Sequence, residues 1–273
     1  MSHAAADSRA IESLLAFWSE AGVDAAYAEE PVDRLAEALK LRAPTPPILV
    51  EVARPAAAAP DIANAIAEAR RLAAEAKDLT ELAAAIAAFD GCPLKREGAR
   101  QAVFSRGAAD APVMIVGEAP GADEDIQGAP FVGRAGKLLD RMVAAAGLDG
   151  RVFITNTVYW RPPGNRTPTP QEQMTCAPFL ERAIALVAPR FLLLVGGASA
   201  KSVLQKTEGI LSLRGRWFDW RPEGGQHAIP ALPTLHPAFL LRQPAAKKKA
   251  WADLLTLTER LNRPDRPGTE QSA

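Results

Sequence analysis

Glu118, Asn156 and His236 each stand where an apolar run gives way to a turn, and each carries a group that can act on a polar ligand. A carboxylate orients water or balances positive charge, a carboxamide offers one acceptor and two donors in one plane, and an imidazole donates a hydrogen bond or a proton. Glu118 lies in Gly117-Glu118-Ala119-Pro120-Gly121, followed by Asp123, Glu124 and Asp125. Backbone N–H groups of a glycine-rich turn attract anions, but four crowded carboxylates repel a phosphate, and no Gly-Lys-Ser/Thr follows. The loop reads as a site for water or for developing positive charge, or else as a solvated turn with acidic helix-capping residues.

Phe131, in Gly128-Ala-Pro-Phe131-Val-Gly133, is a stacking platform for a flat ligand or a plain core ring. Asn156 ends the run Val152–Asn156 and can match the edge of a base, or satisfy its own turn. Arg161 and Arg166 follow on a proline-stiffened loop, as a local basic patch or as ordinary surface. The last segment, Leu235-His236-Pro237-Ala238-Phe239-Leu240-Leu241-Arg242, runs on to Lys247, Lys248 and Lys249. Leucines beside cations suit a wedge that enters a base stack while the cations bind phosphates, and suit equally a capping loop over a buried leucine pair.

The elements that must position these groups are legible as apolar runs at Val113–Val116, Val152–Asn156, Phe191–Val195 and Ala231–Leu235, separated by helical patterns at 135–146, 171–186 and 198–205. That alternation predicts a three-layer α/β/α sandwich around a mostly parallel four-stranded sheet over residues 91–262. Ligands of such sheets bind outside the carboxyl ends of the strands, where these loops fall. Upstream, residues 1–42 read as a helical segment, 43–60 as a Pro/Ala-rich linker and 61–90 as a helical extension, the helix from Leu79 capped by Asp78 or Thr80. Residues 263–273 read as a flexible tail.

Composition narrows the classes. With 32 basic and 32 acidic residues the net charge is zero, so any nucleic-acid footprint must be local. No run of eighteen apolar residues suggests a membrane span. The first residues lack a signal-peptide pattern and only Cys92 and Cys176 are present, so a cytoplasmic, monomeric protein is the expectation.

Taken in order, the four segments closely resemble the family 4 uracil-DNA glycosylases over residues 91–257. The resemblance implies the glycosylase-like fold and hydrolysis of the N-glycosidic bond of uracil flipped out of single- or double-stranded DNA. It implies stacking of the base on Phe131, selection by Asn156 with Gly117 and Ala119 lining the pocket, and a hydrogen bond from His236 to the uracil oxygen. Glu118 is the first choice for orienting water, and Glu124 the second. Leu240 would fill the vacated stack while Arg161, Arg166, Arg242 and Lys247 hold the backbone. The family also carries an iron-sulfur cluster on four cysteines. Here Cys92 and Cys176 keep two of those positions, but Phe89 and Trp160 take the others, and two thiolates cannot hold such a cluster. No cofactor is therefore expected, with the two cysteines lying close together as relics, free or bridged. Ala238 replaces the serine usual in the His-Pro motif. The alternatives are a catalytically impaired homologue that binds DNA or a partner, and a nucleotide-binding α/β module.

Overall fold

The computed structural model describes residues 62–263 except 223, 224 and 226; the expected helical segment at 1–42, the linker at 43–60 and the tail beyond Arg263 lie outside the described residues. The sheet is built from β1 (Ser105–Gly107), β2 (Val113–Gly117), β3 (Val152–Asn156), β4 (Phe191–Val195), β5 (Phe218–Trp220) and β6 (Ile229–Thr234), in the order β1-β3-β2-β4-β6-β5. The four inner strands are parallel, as their continuous apolar sequences require of strands covered on both faces. β1 and β5 add antiparallel edges that the sequence did not announce. Each has only three residues, too few for an alternation to stand out, and β1 ends at Gly107 with φ of 108°.

Side-chain alternation along the strands divides two cores. Met114, Val116, Phe153, Leu192 and Leu194 face one layer, formed by α1 (Ile62–Glu75), α2 (Leu79–Ala88) and a later helix, Pro170–Val187. Val113, Ile115, Ile154, Leu193 and Leu232 face the other, where Leu139 and Val143 meet Leu254, Leu257 and Leu261. Each such fully buried aliphatic contributes about 1.5–3 kcal/mol relative to exposure. In chain order the remaining helices are α3 (Ala122–Gln127), α4 (Arg134–Ala145), α5 (Pro170–Val187), α6 (Gly197–Leu204), α7 (Ile210–Leu213), α8 (Pro237–Arg242) and α9 (Lys247–Asn262).

Packing continues across residue 90, where the sequence reading ends a helical extension. Ala69, Ala73, Leu82 and Ile86 belong to the same cluster as Cys92, Tyr159 and Phe179, and Arg182 of α5 donates to the Ala76 carbonyl at 2.9 and 2.6 Å. The helices from 62 to 88 pack on α5 and so complete this layer of the sandwich among the described residues. Asp78 is the cap of α2, accepting from the Glu81 N–H. Thr169 and Glu172 form a reciprocal cap on α5.

Candidate active site

Gly117 and Asn156 are partners in the parallel register of β2 and β3, so the loops after both strands leave the same sheet edge, and His236 follows the end of β6 two residues on. That edge opens into a cleft of about 520 Å³ whose lining includes Glu118, Ala119, Glu124, Phe131, His236 and Arg242. Sequence order thus converges in space because parallel strands put all their carboxyl ends together.

Gly117 ends β2 directly before the cleft residue Glu118. A Cβ there would meet Asn156 Oδ1 at 2.4 Å and Phe131 Cζ at 2.5 Å, so the residue must lack one. Asn156 is 1 % exposed and its Oδ1 has no hydrogen-bond donor among the described residues. Leaving a buried acceptor unmet costs about 1–3 kcal/mol, which a ligand donor would return. Phe131 is both core and wall: it is buried, lines the cleft, and lies 5.8 Å from the His236 ring. Its φ of 56° is left-handed. For a residue with a large side chain this strain runs to about 1–3 kcal/mol and persists only where the surroundings impose it.

The two candidate glutamates have different duties. Glu124 is fully engaged: Oε2 accepts from the Gly121 N–H at 3.0 Å, and Oε1 from the Val132 and Gly133 N–H groups at 2.9 and 3.0 Å. It ties the two loops bordering the cleft together. The Glu118 carboxylate makes no hydrogen bond among the described residues and faces the cleft, half-buried; the Glu118 carbonyl is held by the Thr157 hydroxyl at 2.7 Å. Thr157 was missed in the sequence, although it directly follows Asn156. His236 Nδ1 accepts from the Ala238 N–H at 3.2 Å, which leaves the proton of the neutral ring on Nε2. Burial, helped by the Arg242 charge and opposed by Glu124, lowers its pKa from 6.5 to about 4. A neutral imidazole donor is the resting state at neutral pH.

The positions expected to hold DNA divide. Arg242 is exposed on the cleft rim. Lys247 is exposed in the first turn of α9, with Lys248 and Lys249, where three cations oppose the helix dipole, and it borders a separate apolar groove with Trp251. Arg161 donates to Asn165 Oδ1 at 2.8 Å. Arg166 is drawn to Glu172, at 2.7 and 2.9 Å, and to Glu97, so it buttresses the start of α5. The exposed leucine expected at 240 is a correction: Leu240 is fully buried among Leu235, Ala250 and Leu138, because the short α8 turns that side inward, and Leu241 is the exposed neighbour.

The residues at the implied cluster positions do not fit the cluster. Phe89, Cys92, Trp160 and Cys176 are all buried; the Phe89 ring lies 6.4 Å from Trp160 and 5.2 Å from Phe179, and Tyr159 packs edge-on against Trp160 and Phe179. Rings fill the space and offer no ligand atom. Cys92 and Cys176 are unbridged and both buried. The neighbouring Cys92 thiol, with burial, pushes the Cys176 thiol well up.

Residues 104–255 match the model of the uracil DNA glycosylase superfamily, more than half the chain. The chain belongs to the uracil-DNA glycosylase superfamily. Among its relatives, a type-4 uracil-DNA glycosylase of Pyrobaculum aerophilum is 40% identical over 182 residues, 65% of this chain and 91% of the relative. Type-4 uracil-DNA glycosylases of Saccharolobus solfataricus and Thermotoga maritima are each 40% identical, over 60% and 55% of this chain and 77% of each relative. The family match contains the cleft residues from Glu118 to Arg242, while residues 62–88 lie outside it and pack on one face of the same sandwich.

Proposed function

We propose that this superfamily member is a monofunctional uracil-DNA glycosylase that excises uracil without an iron-sulfur cluster. The observation that carries the base assignment is the buried Asn156 Oδ1, without a donor among the described residues and set against Gly117 beside the Phe131 ring of the cleft wall. Uracil presents N3–H to that acceptor and O4 to the amide donors. Cytosine brings a lone pair at N3 and a donor at C4, so both contacts turn repulsive. The flipped base stacks on Phe131, and His236 Nε2–H donates to the uracil oxygen that gains charge as the C1′–N1 bond breaks. Glu118, whose carboxylate has no hydrogen-bond partner among the described residues, orients water toward C1′ and stabilises the oxocarbenium-like sugar. Water oxygen bonds to C1′, its proton passes to the carboxylate, and the uracil anion leaves. Glu124 supports the loops rather than the chemistry.

Arg242 and the lysines of α9 are the phosphate contacts, and Leu241 rather than Leu240 is placed to enter the vacated stack. The aromatic packing of Phe89, Trp160 and Tyr159 supports a fold that needs no metal. The two free thiols accord with a reducing cytoplasm, and we take the monomer as the working unit. The experiment is incubation with a uracil-containing oligonucleotide followed by hot alkali. Scission at the uracil supports the function; intact strands from folded protein refute it and favour the impaired homologue.

A further inference from the structure

Arg106 stands on the edge strand β1, two strands from β2, which Glu118 follows, yet its side chain reaches the loop that shapes the cleft. Its Nε donates to the Pro130 carbonyl at 2.7 Å, and its Nη2 to the Phe131 carbonyl at 3.2 Å and to Asp140 Oδ1 at 2.5 Å. Asp140, on α4, thereby aims the guanidinium at two successive carbonyls. On the following peptides, Glu124 takes the N–H groups of Val132 and Gly133. Gly136 closes the remaining side, since a Cβ there would lie 1.7 Å from the Phe131 carbonyl oxygen. Phe131 is therefore grasped at its carbonyl and at the next two amides while it holds its left-handed φ.

We propose that Arg106, oriented by Asp140, is a positioning residue that holds Phe131 in this conformation and so fixes the wall on which the flipped base stacks. The proposal rests on the uracil-glycosylase reading of the cleft. As a surface ion pair alone, with side chains 29% and 51% exposed, Arg106 and Asp140 would matter little to stability and not at all to catalysis. Two carbonyl contacts to a strained residue of the site give the guanidinium a different duty. Its fork geometry matters, because a lysine ammonium on a flexible stem does not hold both carbonyls in one plane.

The test is a double-mutant cycle on the full chain, read as single-turnover excision from a uracil-containing single strand, with half-saturation measured beside the rate. Arg106→Ala lowers the rate about tenfold or more, through a misplaced ring, and leaves half-saturation nearly unchanged. In a Phe131→Ala background the same change alters the rate by less than about twofold, since no ring remains to position. Arg106→Lys recovers part of the loss. Amide exchange at Val132 and Gly133, which needs no activity, quickens in Arg106→Ala. A wild-type rate in Arg106→Ala, equal losses in both backgrounds, or unchanged exchange overturns the proposal. If Arg106→Ala does not fold, Asp140→Ala enters the same cycle with the same expectations. Wild-type protein that leaves uracil in place refutes the glycosylase reading, while the exchange measurement still judges the clamp on Phe131.

Discussion

Two glutamates six residues apart have the same chemistry in the sequence and different roles in the fold. Glu124 spends both oxygens on backbone N–H groups of Gly121, Val132 and Gly133, whereas Glu118 keeps its carboxylate for the cleft. Glu118→Gln should therefore lower single-turnover excision by about 10²–10³, the range for an electrostatic group acting in the transition state, without weakening DNA binding. Glu124→Gln keeps one acceptor and should slow the reaction less while lowering the melting temperature. Equal effects on rate would remove the distinction.

His236 makes a pH prediction with a definite sign. Its folded pKa is depressed, to about 4, so the native state favours the neutral ring. The fold thus keeps full stability from this group above pH 6.5 and loses it as pH falls toward 4, by on the order of 3 kcal/mol. An NMR titration should place the His236 midpoint near 4, and the rate should show no inflection from it near 6.5. Asn156→Asp should relax the preference of uracil over cytosine, measured on paired oligonucleotides, because an ionised carboxylate keeps the acceptor but loses the donors. The types of Glu118, Asn156 and His236 were legible because each follows an apolar run. Which glutamate was free was not, since that depends on contacts between loops.

At the scale of elements, the four inner strands were legible because strands buried on both faces read as continuous apolar runs. The edge strands were not: Ser105–Gly107 and Phe218–Trp220 take their conformation from pairing with β3 and β6 rather than from their own composition. The turn α8 gave the sequence reading its clearest error. Adjacent residues of a helix point about 100° apart, so one leucine can turn inward while its neighbour stays out, and packing chose Leu240 for the interior. Leu240→Ala should destabilise by about 2–5 kcal/mol in urea unfolding, as a core truncation does. Leu241→Ala should leave stability within about 0.5 kcal/mol and slow excision from double strands more than from single strands. The reverse pattern would return the wedge to Leu240.

Across the molecule, α1 and α2 close the same hydrophobic cluster that holds Cys92, Cys176, Tyr159 and Trp160. Composition alone placed them in an extension, because alanine-rich helices carry little sign of what they cover. A chain beginning at Gly91 should expose that cluster and fail to give a cooperative unfolding transition, whereas the glycosylase motifs all remain within it. The same cluster bears on the metal. Phe89 and Trp160 put rings at two of the implied cluster positions, and Cys92 and Cys176 are free thiols. The substitution was visible in the sequence; that the rings pack into one continuous core required the structure. The measurement that tests the account most directly is single-turnover excision of uracil by protein whose iron content is determined in the same sample. The account predicts strand scission at uracil from folded chains carrying no stoichiometric iron, undiminished by a chelator. Excision confined to an iron-loaded fraction, or none from folded protein, would contradict it.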